Sequence, residues 1–497
     1  MLYLSLLLVL LAAACLIFVP NTVIILTVVA IMHGFAIFSA CHALLHKRDS
    51  RAALGWVALI LFMPPAGLPL YWLFGIARVD SQAVRFMEKA ARKVMGGLVD
   101  LHGKSLTEHP QGFISEEKVP QAWRYIVAPG SSITGRCMTE GNALTVLHNG
   151  ETAYPAMLAA IDAASERVFL SSFIFGFDEV GRTFASALRK AAERGCDVRV
   201  LMDGVGSFNL WANWRKRLGP GVKLAFFLPP RIVPPQFSIN LRTHRKVLAC
   251  DGNVGFTGGM NISQHHLAGL KRRARVQDVH FRCAGPIAQQ LEIAFLMDWS
   301  FATGDSTGIP LNHTDKRGSS LCRILMDGPG TPEDTILDLV CAQISASRHS
   351  VRIMSPYFLP PHRLHGELVS AVLRGVDVSV ILPGENNHRL VDWAMRHQMP
   401  MLADRGIRIF RQPPPFAHTK LLLIDGEYTL LGSANLDPRS LNLNFELVME
   451  VLDLRLTEQL NAFYDEVRSR SASVPTAYPS LPYRLRNAAS WIFSPYL

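Results

Sequence analysis

No two of the eight cysteines, at 15, 41, 137, 196, 250, 283, 322 and 341, lie closer than 19 residues. That spacing excludes a CxxC redox pair and a zinc-finger ligand set. Cys196, Cys250, Cys283 and Cys341 fall in apolar stretches, where a thiol packs as a small, reduced core group. Charge is scarce too. Of the 497 residues 18% are charged and 49% hydrophobic, which excludes an extended disordered chain and a coiled coil. It is scarcest at the start, where residues 1–77 carry only Lys47, Arg48, Asp49 and Arg51. The other 420 residues hold 47 basic and 39 acidic groups, a moderately basic body large enough for a full core.

The charge-poor start reads as membrane segments. Leu2–Val19 is apolar, Pro20-Asn21 interrupts, and Thr22–Leu44 is apolar apart from His33 and His42. At about 1.5 Å per residue the second stretch reaches across a hydrocarbon core of roughly 30 Å. Ala52–Ala77 is a third apolar stretch, with Trp56, Tyr71 and Trp72 suited to the interface and Pro64, Pro65, Gly67 and Pro69 expected to kink it. The expectation is an all-α transmembrane segment over 1–77, with helices near 2–19, 22–44 and 52–77. A cleaved secretory signal over 1–19 is disfavoured, because its start has no lysine or arginine and more apolar sequence follows. Arg78, Arg85, Lys89, Arg92 and Lys93 outnumber the three basic residues of the 46–51 loop, which tips the expected orientation slightly toward a cytoplasmic body.

After a connector at 78–118 the body repeats itself. Val168–Phe175, a helical stretch through Leu188 and Arg194-Gly195-Cys196-Asp197 into Val198–Asp203 form one series. Val351–Phe358, a helical stretch through Leu373 and Arg374-Gly375-Val376-Asp377 into Val378–Pro383 form the other, with the arginines 180 residues apart. Phe184, Leu188 and Ala191 fall on one helical face, and Leu364, Leu368 and Leu373 roughly so. Strand, helix, glycine-marked turn, strand, twice, predicts two homologous α/β halves with an at least partly parallel sheet. Their expected bounds are 119–305 and 306–470, with an aromatic and basic tail over 471–497.

The next repeated element carries chemistry. His244-Arg245-Lys246 leads through Val247–Cys250 to Asp251-Gly252, then to Gly258-Gly259-Met260-Asn261. His418-Thr419-Lys420 leads through Leu421–Ile424 to Asp425-Gly426, then to Gly432-Ser433-Ala434-Asn435, 174 residues later. Histidine and lysine two apart on a strand share a face. The Asp-Gly pairs read as turns into a second strand, a hairpin if that strand pairs back. The small residues after it let backbone amides and the Asn side chain approach an anion.

These twin HxKxxxxD signatures resemble the phospholipase D superfamily. The closest resemblance within it is to bacterial cardiolipin synthases, over about 450 residues. It rests also on Arg51–Trp56 with Leu70–Gly75, Asp327–Asp334, Ser355-Pro-Tyr-Phe358, Asn435–Glu446 and Ser494-Pro-Tyr-Leu497. The apolar stretch at 1–19 departs from the family pattern, as does Gly259 where the second copy has Ser433.

The resemblance implies that both halves share one active site. It groups His244, Lys246, Asp251, His418, Lys420 and Asp425 as catalytic. His244 would attack phosphorus and His418 would act as acid and then base, although the near-symmetry of the halves leaves the nucleophile open. Lys246, Lys420, Asn261, Asn435 and Ser433 would bind or support the phosphate. Asp278 is expected to orient His244, and Glu446 to orient His418. Asp251 and Asp425 are expected to brace the turn and the lysine strand. No cofactor and no metal is implied, since two lysines supply the positive charge and no carboxylate cluster has metal spacing.

The implied reaction is a phosphatidyl transfer from one phosphatidylglycerol to another through a phosphohistidine, giving cardiolipin and glycerol. The implied place is the bacterial inner membrane, with several passes. Expected partners are phosphatidylglycerol and anionic membrane lipids; a homo-oligomer stays open. Lys271, Arg272, Arg273 and Arg275 would attract anionic headgroups or form a solvated loop. Leu228–Phe237 and Pro413–Phe416 read as a stiff, partly apolar rim before each histidine, and the tail as an interfacial anchor or a docked segment. The alternatives are a phospholipase D-type hydrolase or a synthase using phosphatidylethanolamine as donor. A nuclease and an inactive scaffold are disfavoured by the apolar stretches and by the intact signatures.

Overall fold

An apolar run without proline holds all its backbone hydrogen bonds in one helix, and Thr22–His46 does so for 25 residues. This is seen in the computed structural model, which describes residues 4–7, 10, 22–47, 50–75, 113–207, 213–229, 241–269, 275–305, 314–328, 334–474 and 480–494. The chain forms two units, Met1–Arg78 and Val79–Leu497.

In the first unit, Ile25–His46 is the one helix among the described residues that is long and apolar enough to cross a membrane. The expected third span does not form. Ser50–Phe62 is 13 residues, about 20 Å and too short for a hydrocarbon core. Pro64 and Pro65, which cannot donate backbone N–H groups, start a separate helix, Pro64–Leu70, followed by a wider turn at Tyr71–Gly75. Residues 2–19 lie largely outside the described residues, as does the connector at 78–112. The multi-pass inner-membrane placement is therefore corrected: one candidate spanning helix fits a single-pass or peripheral membrane association. Within this unit Gly67 packs so closely that a Cβ there would lie 2.4 Å from the Leu59 carbonyl oxygen. The Trp72 indole donates to Ser39 at 2.9 Å.

The second unit is built on one sheet. The first half contributes β1 (Thr139–His148), β2 (Arg167–Ser172), β3 (Asp197–Asp203), β4 (Val222–Phe227), β5 (Arg242–Thr243), β6 (Val247–Cys250), β7 (Val254–Gly258) and β9 (Val279–Ala284). A two-residue strand, β8 (Val276–Gln277), stands apart from it. The second half follows with β10 (Ser320–Asp327), β11 (Ser350–Met354), β12 (Asp377–Pro383), β13 (Arg408–Gln412), β15 (Leu421–Ile424), β16 (Tyr428–Gly432) and β17 (Asn444–Leu452), while β14 (Phe416–Ala417) pairs with β8 outside that sheet. Outward from the antiparallel β1–β10 joint the first half runs β1-β9-β7-β6-β2-β3-β4. The second runs β10-β17-β16-β15-β11-β12-β13, the same order. β2-β3-β4 and β11-β12-β13 are parallel, as the strand–helix–strand repeat requires. The expected hairpins form as β6–β7 and β15–β16.

Both hairpin turns need left-handed backbone: φ is 53° and 68° at Asp251 and Gly252, and 54° and 73° at Asp425 and Gly426. Short polar Asp and Gly tolerate that region, which explains the repeated pair. The two carboxylates also tie the turn to the strand beside it. Asp251 accepts from the backbone N–H of Ser165, Glu166 and Arg167 at 2.8–3.0 Å. Asp425 accepts from Arg348, His349 and Ser350 at 2.7–2.8 Å. Helices cover the sheet. Phe184, Leu188 and Ala191 are buried on one helical face, and Leu364 and Leu368 on another. Leu373, placed on that face by spacing, is 83% exposed, because it ends its helix at the turn. Cys196, Cys250, Cys283 and Cys341 are free and buried. In the tail, Leu481–Ile492 docks on helix Arg389–Ala403, with Arg486 4.5 Å from the Trp393 ring centre and Trp491 5.0 Å from His397.

Replacing Asp251 or Asp425 by Ala leaves three strand N–H groups without their carboxylate. Each variant is expected to lose about 1–2 kcal/mol of stability, read as a melting temperature lowered by a few degrees in thermal denaturation.

Candidate active site

Each histidine is delivered by a short strand that pairs with the opposite half. β5 pairs in parallel with the start of β17, and the His244 N–H donates to the Phe445 carbonyl at 2.9 Å. β14 pairs in parallel with β8, and the His418 N–H donates to the Gln277 carbonyl at 2.8 Å. The next residue along the partner strand is Glu446 in one case and Asp278 in the other. This crossing overturns the expected pairing. His244 Nδ1 lies 3.0 Å from the Glu446 carboxylate and 3.1 Å from the Ser433 carbonyl. His418 Nδ1 lies 2.7 Å from Asp278. The resemblance implies the carboxylate of the same half, and the exchanged strands supply the one from the other half. Since carboxylate and carbonyl only accept, each Nδ1 carries the proton and each Nε2 is the unprotonated ring nitrogen.

The two carboxylates differ in support. Glu446 is fully buried and accepts from the hydroxyls of Ser433 and Ser440, both at 2.5 Å, and from Asn444 at 3.2 Å. Burial pushes its carboxyl up, but the charge and hydrogen bond of His244, Lys246 and the Ser433 hydroxyl hold it below the ordinary carboxylate value. Asp278 has one backbone donor, the Val279 N–H at 2.8 Å, besides His418. Burial raises its carboxyl despite Lys420. Gly259 explains the shorter acid: a Cβ there would lie 2.5 Å from Asp278 Oδ2, so the carboxylate fills the space that Ser433 takes in the second copy.

Lys246 and Lys420 are buried, and each Nζ donates to the carbonyl of its own signature histidine at 2.7 Å. Lys420 Nζ is also 3.1 Å from both ring nitrogens of His418. Burial pulls Lys246 down to about 7 and Lys420 to about 8. Burial likewise lowers both histidines, His418 well below its ordinary value with Lys420's charge as the next cause. The resting imidazoles are therefore neutral at pH 7.

His244, His418, Asn261 and Asn435 line one cavity of about 910 Å³, within the size range of ligand sites. Asn261 Oδ1 accepts from the Ile174 N–H at 3.1 Å. Asn435 Oδ1 is buried with no partner among the described residues. Ser433 is not on the wall, since its hydroxyl is committed to Glu446. Asp251 and Asp425 lie past the far ends of β6 and β15 and do not reach the cavity. Phe416 from the expected rim does line it, beside Tyr357, and so does Arg275. Residues 230–237 of the other rim, and Lys271, Arg272 and Arg273, lie outside the described residues.

Several supports had no sequence signal strong enough to find them. Asp203 accepts from the Thr243 N–H at 3.0 Å, bracing the His244 strand, and pairs with Arg242. Tyr154 donates to the carbonyls of Asn261 and Ser263, both at 2.8 Å. Phe173 packs edge-on to His244 with ring centres 5.5 Å apart. Asp203 was visible as the last residue of a predicted strand, the position where sites of parallel sheets gather.

Residues 157–299 and 340–468 match the family described as "Cardiolipin synthase, PLD-like domain", and residues 34–75 match "Phospholipase_D-nuclease N-terminal". The chain is 32% identical to cardiolipin synthase A of Pseudomonas putida over 434 residues, covering 86% of this chain and 88% of that protein. It is 32% identical to cardiolipin synthase A of Pseudomonas entomophila (strain L48), covering 89% and 92%. Phosphatidylserine synthase of Haemophilus influenzae Rd KW20 is similar in fold, with a TM-score of 0.56 at 15% identity, over 71% of this chain and 95% of that one.

Gly259→Ala is expected to push Asp278 off His418 and cost about 100-fold in turnover, the usual scale for a misplacement near 1 Å. Lipid turnover beside a melting curve checks it: the rate falls while the melting temperature holds.

Proposed function

The chain belongs to the phospholipase D superfamily as a homologue of bacterial cardiolipin synthase A, and we propose that it is itself a cardiolipin synthase working through a phosphohistidine. Its catalytic domains are those of a transferase or hydrolase, and its substrates are lipids. The reaction we infer takes two phosphatidylglycerols to cardiolipin and glycerol at one site shared by the halves. The observation that carries this reading is the lining of one cavity by both signature histidines, each with its Nδ1 against a buried carboxylate.

In the first step His244 Nε2 bonds to phosphorus, the bond from phosphorus to the departing glycerol oxygen breaks, and His418 gives that oxygen a proton. In the second, the free glycerol hydroxyl of another phosphatidylglycerol gives its proton to His418 and bonds to phosphorus, and the P–N bond breaks. One group acting as acid and then base is what a reversible exchange requires. The unequal carboxylates support His244 as nucleophile. Positive charge develops on the attacking imidazole, and Glu446, held ionised by two hydroxyls and an amide, meets it better than Asp278 does. Binding the anionic phosphate beside Lys246 and Lys420 raises the pKa of both lysines and of His418, so that His418 takes up the proton it needs from solvent. Lys246, Lys420, Asn261 and Asn435 would hold the non-bridging oxygens.

Purified protein in phosphatidylglycerol vesicles with excess EDTA is expected to make cardiolipin and equal amounts of free glycerol, by lipid mass spectrometry and a glycerol assay. His244→Ala and His418→Ala are each expected to lose at least about 1,000-fold. Phosphatidic acid without cardiolipin would mark a hydrolase. The lysines also predict a pH profile. They are protonated below about 7 and about 8 in the free site, and only then attract the phosphate anion. Thus kcat/KM should fall as pH rises through that window, as a property of the coupled pair. A profile flat from pH 6 to 9 would contradict it.

A further inference from the structure

The two halves supply matched ligands for one phosphate, but the wall beyond them is not matched. Four residues after Asn435 stands Arg439, and four residues after Asn261 stands His265. Arg439 is half-buried and lines the cavity, and among the described residues no side chain takes its guanidinium in a hydrogen bond or ion pair. Arg242, Arg389 and His388 line the cavity with it. Burial lowers the pKa of both Arg242 and His388, and Arg439's charge adds to it in each, although at Arg242 the Asp203 carboxylate opposes the shift more strongly than Arg439 deepens it. Asp437 is the one carboxyl among the described lining residues, and it is buried, accepting the Ser440 N–H at 2.9 Å. Arg242 is already paired with Asp203, so the charge this wall leaves for a bound anion is that of half-buried Arg439 and exposed Arg389.

We propose that Arg439, with Arg389 and flanked by His388, holds the intact phosphodiester of the acceptor lipid. This deepens the synthase reading and rests on it. The acceptor of that reaction carries its own phosphate, tied through three carbons to the hydroxyl that attacks phosphorus. While the first phosphate lies between the lysines and asparagines, the second must sit a short tether away, and it needs a cationic seat of its own. The asymmetric wall supplies one on the Arg439 side, so the subsite selects a phosphate-bearing alcohol over other alcohols and over water.

The test is a partition experiment. Phosphatidylglycerol vesicles with ethanol present let a single phosphoenzyme yield either cardiolipin or phosphatidylethanol, so the product ratio is independent of donor binding and of the fraction folded. In Arg439→Gln the ratio of cardiolipin to phosphatidylethanol is expected to fall at least about tenfold, the scale of one charge-assisted contact. Arg439→Lys is expected to recover part of it. A ratio within about twofold of the wild type in Arg439→Gln would overturn the subsite even if total turnover dropped. Should that variant give no product, Arg389→Gln and Arg439→Lys decide by the same ratio. Wild-type protein that makes phosphatidylethanol but no cardiolipin would overturn the synthase reading itself. Cardiolipin with an arginine-insensitive ratio would overturn only the subsite.

Discussion

The crossed pairing of carboxylate and histidine is the constraint on which the rest of the site depends. Glu446 serves His244 and Asp278 serves His418, so neither half holds its own histidine in a fixed tautomer. The crossing is set by backbone, not by side chains. Two strands of only two residues each leave their own half and pair in parallel beside the carboxylate strand of the other. A half folded alone would lack an acceptor for its imidazole and a partner for the strand before it. The joint between the halves is thus part of the chemistry, and the antiparallel contact of β1 with β10 makes that joint one continuous sheet.

Electrostatics follow from the same arrangement. Bringing the signatures together buries two lysines, two imidazoles and two carboxylates in one region. Burial lowers the lysines and histidines, while His244, Lys246 and the Ser433 hydroxyl hold the Glu446 carboxyl below its ordinary value and burial raises that of Asp278. An otherwise symmetric site therefore has two unlike ends. The difference continues outward, from Ser433 against Gly259 to Arg439 against His265. The proposed two-step exchange would benefit from such inequality, since the group that attacks and the group that shuttles a proton need different partners.

Much of this was legible in the sequence because it was written twice. The repeat of strand, helix and turn gave two α/β halves with a partly parallel sheet, and the His-x-Lys spacing gave a shared face. The Asp-Gly pairs gave hairpins whose φ values are positive at all four residues. Contacts between elements distant in sequence were not legible. Nothing near residue 244 signals that a strand two hundred residues away will supply its carboxylate, and Asp203, Tyr154 and Phe173 reach the site only through the fold. Membrane topology failed for a different reason. Hydropathy counts apolar residues without asking whether they form one helix, and the prolines at 64 and 65 divide the third stretch into pieces too short to span.

The most direct test of the shared site is the stoichiometry and position of the covalent adduct. Protein mixed with phosphatidylglycerol and quenched in alkali within the first turnover, then digested for mass spectrometry, reports both. One phosphatidyl group per chain, on His244, is the predicted result. Adducts on His244 and His418 together, approaching two per chain, would mean that each half attacks its own phosphodiester and would contradict the account.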